Sequence, residues 1–214
     1  QYMRAYTLGK EPRVLYNVAV CFKEEGKYAS AVRVLQESAD LAKDAPRDYL
    51  ERVTDTIDTL MALVATVTID GLEPGMTVDV DRETVPVSAQ GKLLVDAGTR
   101  TLVVRRPGFT PQSFTREFPA GERFGFRVSL TPLPGKIRVS ADGVPNASVL
   151  LDGREVGLAP VTLSVAPGSH EILVRAPGFR EARRTVDAAS DAESAIALAL
   201  DRDVRTARLR VTAG

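Results

Sequence analysis

A seven-residue pattern that occurs twice constrains this chain more than any other feature. Val103-Val104-Arg105-Arg106-Pro107-Gly108-Phe109 returns as Leu173-Val174-Arg175-Ala176-Pro177-Gly178-Phe179, with the two prolines 70 positions apart (177 − 107). Each copy predicts a strand that runs into a Pro-Gly turn and comes back with an aromatic. Pro presets φ at the first corner, and Gly accepts the positive φ that a type II turn needs at the second. The following Phe can then fold back onto the face just left.

From Ala65 onward the apolar period is two. Val67/Ile69, Val78/Val80, Leu93/Val95 and Leu102/Val104 alternate with polar residues, and Pro-Gly, Asp-Gly and Ala-Gly turns separate them. The second copy supplies Ile137/Val139, Val149/Leu151, Leu163/Val165 and Ile172/Val174. Gly98 and Gly168 precede the opening motif at the same offset, and Asp81-Arg82-Glu83 and Asp152-Gly153-Arg154-Glu155 mark a shared hairpin. Ala207-Arg208-Leu209-Arg210-Val211-Thr212-Ala213 restarts the pattern of Gly135-Lys136-Ile137-Arg138-Val139-Ser140-Ala141. Short strands, frequent turns and internal repetition predict tandem small antiparallel β-sandwiches. The expected boundaries are 65–133 and 134–203, with 204–214 as the first strand of a truncated third repeat.

Residues 1–64 read as helices. Tyr2–Leu8 resembles the end of a helix closed by Gly9. A second helix fits Pro12–Glu25, with Leu15, Val18, Ala19 and Phe22 at helical spacing and Pro at a first turn that has no use for its missing N–H. Gly26 ends it. A third runs from Tyr28 to Lys43, with Ala31, Val34, Leu35 and Ser38 on one face. A fourth fits Arg47–Val64, with Leu50, Val53, Ile57, Leu60 and Val64 in steps of three and four. No Gly, Pro or Ser linker follows it, so a stiff join to the β part is expected. The class is therefore α+β.

The chain has 214 residues, 44% hydrophobic and 26% charged, with a formal net charge of zero. That balance argues against a nucleic-acid or anionic-membrane binder driven by bulk charge. One cysteine, Cys21, excludes an intramolecular disulfide and reads as a small core residue. No apolar run approaches the roughly 20 residues that span a bilayer. An opening inside a helix and an end inside a strand suggest an excerpt of a longer protein.

Leu15, Ala19, Phe22, Gly26, Tyr28, Ala31 and Leu35 fall in a register that resembles the tetratricopeptide repeat, with small residues where the helices approach. Ser38 departs from the usual Ala, and Pro46 comes a few residues late. The resemblance makes Arg47–Val64 a capping helix and implies further repeats before Gln1. Ala147–Pro160, Val165–Glu171 and Pro177-Gly178-Phe179 together resemble a PEGA domain. The first copy is more divergent. Leu72-Glu73-Pro74-Gly75-Met76 replaces the usual Pro-x-Gly-Ala entry, and Thr84-Val85-Pro86-Val87 replaces the Gly-x-x-Pro turn. The combination is similar to bacterial cell-envelope proteins of the myxobacterial type, which implies a periplasmic or surface-exposed location and no enzymatic role.

His170 is the only histidine, and no cysteine stands with it to make a zinc site. Ser169 and Glu171 point away from it in a strand, so it reads as structural or solvated. Asp79 and Asp81 read as a solvated face opposite Val78 and Val80; Asp201 and Asp203 form a second such pair. Arg105, Arg106, Arg116, Arg175, Arg180, Arg183 and Arg184 trace a basic strip interleaved with acids. Phe114, Phe118, Phe124 and Phe126 are the cluster on which sugar stacking would depend, and most of them are expected in the core.

The repeat resemblance places Asn17 where relatives hydrogen-bond a peptide backbone. Arg13, Tyr16, Val20 and Lys23 share that concave side, with filling by the capping helix as the competing reading. The expected function is a non-enzymatic scaffold that grips a protein or peptide through these residues, with the β-modules as spacer or docking surfaces. The alternative is binding of cell-wall polysaccharide by the β-modules. No cofactor, metal, nucleic acid or membrane contact is expected within the chain.

Overall fold

Pro12 opens the first helix, α1 (Pro12–Glu24), after an extended Glu11 that offers no side-chain cap. Its buried residues are Leu15, Val18 and Ala19. It stops where Gly26 turns to φ +72. Lys27 N–H then reaches back to the Phe22 carbonyl at 2.9 Å and Gly26 N–H to that of Lys23 at 3.0 Å. This pair of bonds satisfies carbonyls that the helix end leaves open. The computed structural model describes residues 11–42 and 45–203. The helix expected at Tyr2–Leu8 and the strand expected at Ala207–Ala213 lie outside those residues.

Helix α2 (Tyr28–Leu41) packs antiparallel to α1 through Ala31, Val34, Leu35 and Ser38, and α3 (Arg47–Met61) covers both with Val53, Ile57 and Leu60. Two expectations need correction. Tyr49, not Leu50, joins the helical core, and Val64 belongs to a strand. The helix ends at Met61, and Leu63 N–H closes its last turn on the Leu60 carbonyl. Cys21 is partly exposed because it falls beside the buried stripe of α1.

The first β-module has seven strands: β1 (Val64–Asp70), β2 (Thr77–Val80), β3 (Glu83–Val85), β4 (Lys92–Asp96), β5 (Gly98–Arg105), β6 (Gln112–Phe118) and β7 (Arg123–Arg127). They form two sheets, ordered β4-β1-β7 and β3-β2-β5-β6. Ala65, Val67, Ile69, Leu93 and Val95 of one sheet meet Val78, Leu102, Val104 and Phe118 of the other in a single core. The second module repeats this with β8 (Gly135–Asp142), β9 (Ser148–Leu151), β10 (Arg154–Leu158), β11 (Val161–Val165), β12 (Gly168–Arg175), β13 (Ala182–Ala188) and β14 (Glu193–Ala199). Its sheets are β11-β8-β14 and β10-β9-β12-β13. Its core holds Ile137, Val139, Val149, Leu163, Val165, Ile172 and Val174.

The modules are not purely antiparallel, as expected from sequence. In each, the first and last strands pair in parallel: Thr66 opposite Arg123, and Lys136 opposite Glu193. More than fifty residues separate those strands, so no tight hairpin forces them antiparallel.

By packing, residues up to Arg106 together with Pro111–Leu130 form one unit, and Pro107–Thr110 with the chain from Thr131 form the other. Within the first unit the helices and the β-module share a join. Leu94 of β4 packs on the helical core. Asp96, at the end of β4, accepts the Ala29 N–H at 2.7 Å. Ala29 lies in the first turn of α2, whose own N-cap Lys27 makes no side-chain cap. A strand residue thus supplies the carboxylate that a helix N-terminus favours.

Replacing Asp96 by Ala should lower the stability of the full chain by about 1 kcal/mol, the usual worth of such a cap. Gly26→Ala should cost about 1–2 kcal/mol through its left-handed φ, since no neighbour crowds the site of the new methyl. Urea unfolding of the two variants checks both.

Candidate functional site

Two neighbouring cavities open between α1 and α3. The larger, about 620 Å³, is lined by Glu11, Pro12, Arg13, Tyr16, Asn17, Ala45, Pro46, Asp48, Tyr49 and Arg52. The smaller, about 80 Å³, is lined by Tyr16, Ala19, Val20, Lys23, Leu35, Thr56 and Leu60. Tyr16 borders both. Arg13, Tyr16 and Asn17 therefore line the first cavity, and Tyr16, Val20 and Lys23 the second. Helical spacing explains this grouping, because positions 13, 16, 17, 20 and 23 recur at intervals of three and four along one side of α1. The wall contributed by α3 adds Asp48, Tyr49 and Arg52, none of them evident from sequence as groove residues.

The floor of the larger cavity is a polar knot. Ser38 Oγ and Tyr49 Oη lie 2.8 Å apart, and each lies 2.8 Å from the Pro12 carbonyl oxygen. Ser38 is fully buried. The departure from Ala at this position thus has a structural reason: the serine hydroxyl ties α2 to the start of α1 and to Tyr49 of α3. The Tyr49 ring meets that of Tyr16 at 6.3 Å between centroids.

The other sequence candidates resolve as follows. Asp79 is not solvated; its side chain is 7% exposed, 2.6 Å from Arg105 Nη2 and accepting a hydrogen bond from Thr84 Oγ1 at 2.6 Å. Asp81 leaves the strand altogether, at φ 49. The basic strip is largely neutralised. Arg100 pairs with Asp81, Arg106 with Glu73, Arg138 with Glu193, Arg175 with Glu155 and Arg183 with Glu171. Phe118 is fully buried, while Phe114, Phe124 and Phe126 are partly buried against the same core. The Arg116 guanidinium lies 4.4 Å from the centroid of the Phe124 ring. The rings tilt against one another instead of presenting a flat face.

His170 is tightly held. Its Nδ1 lies 2.7 Å from Asp152 Oδ2 and its Nε2 2.8 Å from the Ala166 carbonyl. Both nitrogens are engaged, and neither meets a nucleophilic hydroxyl. Hydrogen bonding to Asp152, then to the Ala166 carbonyl, raises the imidazole above its ordinary value. The reciprocal bond from His170, then the Glu171 N–H, lowers the Asp152 carboxyl. Among the described residues, no three His, Cys, Asp or Glu side chains are grouped to hold a metal ion. No helix among them is long and apolar enough to cross a membrane.

The repeated Pro-Gly-Phe loop also has a defined task. Gly108 and Gly178 take φ +79 and +80, as a type II turn requires. Thr110 N–H donates to the Thr131 carbonyl and Leu133 N–H to that of Gly108, each at 2.8 Å. In the second copy Arg180 N–H donates to Asp201 and Asp203 N–H to Gly178, at 2.8 and 2.9 Å. Each loop therefore clips the segment by which the chain leaves that module.

Residues 135–203 match the PEGA domain. The match spans β8 through the clip of the second module. The first module repeats that domain's strand order and pairing, although the family match does not extend over it. No curated protein matches the chain. Among solved structures, the chain is similar to the Bacillus anthracis TIE protein, at 13% identity and a TM-score of 0.39. That likeness covers 65% of this chain and 34% of the TIE protein, so the chain spans about a third of its length. It is also similar to GBS52, the minor pilin of Streptococcus agalactiae, at 9% identity and a TM-score of 0.31 over 70% of this chain and 99% of that one.

Ser38→Ala should cost about 1 kcal/mol, because Tyr49 Oη still satisfies the Pro12 carbonyl and only one bond is lost. The measurement is thermal unfolding of the variant beside the parent. A loss above about 3 kcal/mol would show that the knot does more than these three contacts.

Proposed function

We propose that the chain is a non-enzymatic scaffold of the bacterial cell envelope, which captures a protein or peptide in the groove between α1 and α3. The helical part is of tetratricopeptide type in this reading, and both β-modules are PEGA domains acting as a spacer or as docking surfaces. One observation carries it: the five residues that the repeat register assigns to a concave binding side border two adjoining cavities. The capping helix leaves that space open while closing the helical core beneath it with Val53 and Leu60.

The chemistry of the lining suits a polypeptide. Asn17 offers both a donor and an acceptor to a peptide backbone. Tyr16 and Tyr49 give flat apolar area with polar tips, and Arg13, Lys23, Arg52, Glu11 and Asp48 border it with both charges. The carbohydrate alternative needs an exposed aromatic platform in the β-modules, whereas the phenylalanine rings of the first module pack into its core.

Truncation is a poor test, since removing the helices would bare Leu94 and leave Asp96 without its partner. Substitutions in the intact chain avoid this. Arg13→Glu combined with Asn17→Ala, both at exposed positions, should weaken capture of an envelope partner by roughly tenfold or more, about 1.4 kcal/mol, with an unchanged unfolding midpoint. Arg138→Glu on the outer sheet of the second module should leave capture intact. The reading fails if the groove variant binds as the parent does, or if capture is lost with the Arg138 variant instead.

A further inference from the structure

The two β-modules share a joint that neither the family match nor the groove reading uses. At the end of β2, Asp81 turns to φ 49, and at the end of β9, Asp152 turns to the same φ 49. Each aspartate makes the same bonds to the strand alongside. Asp81 N–H donates to the Thr101 carbonyl and Asp81 Oδ1 accepts the Thr101 N–H, both at 2.9 Å. Asp152 does so with Glu171, again at 2.9 Å for each bond. The second carboxylate oxygen holds a cation: Arg100 Nη1 at 3.1 Å in the first module, His170 Nδ1 at 2.7 Å in the second.

That cation also reaches back to the loop before its own strand. Arg100 donates from Nε to the Asp96 carbonyl and from Nη2 to the Ala97 carbonyl. His170 Nε2 lies against the carbonyl of Ala166, the position equivalent to Asp96. A carbonyl and a carboxylate can only accept hydrogen bonds, and a neutral imidazole carries one N–H. Both bonds exist together only when the ring is an imidazolium. We propose that the second β-module carries a proton-operated latch, in which imidazolium His170 ties the β9–β10 turn to the start of β12 and lets go on deprotonation, while Arg100 keeps the same joint of the first module closed at every pH.

The surroundings favour this role. The His170 side chain is 15% exposed. Its neighbours Ser169 and Glu171 point to the other face of β12, where Glu171 is occupied by Arg183 at 3.3 Å. Across the sheet it faces Val186 of β13, with Arg184 and Ala188 next along that face. Asp152 comes from the turn, and the loop after β11 presents the Ala166 carbonyl. Arg184 is the cation in that register, and Asp152 in direct contact outweighs it.

The sign follows from the directions. Raised in the fold, His170 adds stability in full below its unfolded value near 6.5, and that stability is lost as pH rises through the folded value. Asp152, lowered in the fold, adds stability above its unfolded value near 3.8 and loses it as pH falls through the lower folded value. The latch is therefore firm from mildly acid to neutral pH and slackens toward alkaline pH. The element it controls is the edge hairpin ending in β10, which pairs only with β9 and exposes Val156 and Leu158.

The test uses ¹⁵N-labelled full-length chain and compares two amides in one sample, Glu171 and its counterpart Thr101, from about pH 5.5 to about pH 8.5. Protection against exchange, corrected for the intrinsic rate, should fall at Glu171 by up to about tenfold per pH unit above roughly 6.5, and stay level at Thr101. Imidazole ¹⁵N shifts should show both nitrogens protonated at about pH 6. His170→Arg should level the Glu171 profile. The proposal is overturned by a singly protonated ring at about pH 6, by equal profiles for the two amides, or by an His170→Arg slope like that of the parent. If the arginine variant does not fold, the parent's two amides decide alone.

Discussion

Each β-module depends on the parallel pairing of its first strand with its last. β1 lies in the middle of its sheet and takes β4 on one side and β7 on the other. The last strand is stapled at both ends, by Gly121 N–H to the Val64 carbonyl and by Val128 N–H to that of Asp70, each at 2.9 Å. β8 and β14 repeat the arrangement, with Lys136 N–H on the Ala192 carbonyl at 2.8 Å. Closing a loop of this length is only modestly harder than closing a short one, because the entropy grows with its logarithm. The return is a covered core. Without the last strand, the inner faces of the central strand and of the opposite sheet would lose one wall. Parallel closure also means that the chain leaves a module heading the way it entered, which suits a unit built for repetition.

On that common frame the modules differ where each has separate business. Asp96 caps α2 in the first module, and the second, which has no helix to cap, carries Ala166 there. Asp79 sits beneath Arg105 and Thr84, and its counterpart Leu150 is apolar, with Glu155 instead receiving Arg175. Arg100 gives way to His170. Charge is thus placed by local partners and not by a repeated surface field, which is why interleaved acids consume most of the arginines. The clip made by the Pro-Gly-Phe loop is kept unchanged in both copies, since it works through backbone bonds alone.

Much of this was legible in the sequence. Eight strands followed from apolar alternation, and the Pro-Gly turns have the φ values their residues require. Pro12 and Gly26 bounded a helix as their chemistry demands. What escaped notice has a physical pattern. β6, β13 and β14 are edge strands with one covered face, and Ser113, Arg116, Arg183, Ala195 and Ala197 dilute their alternation. Parallel closure links strands too distant for any local signal. The burial of Asp79, the Ser38–Tyr49–Pro12 knot and the cap from Asp96 depend on partners 5 to 67 residues away. The groove residues on α1 were readable from helical spacing, whereas those on α3 required the packing of one helix across another.

The parallel closure of the modules can be tested directly by nuclear Overhauser contacts across β8 and β14 in the full-length chain. The structure places Val139 opposite Ile196 and Ala141 opposite Leu198, in a register that advances in the same direction on both strands. Contacts following that register, with β14 amides protected from exchange, are the expected result. Contacts advancing in opposite directions, or β14 amides exchanging as freely as a loop, would contradict the account.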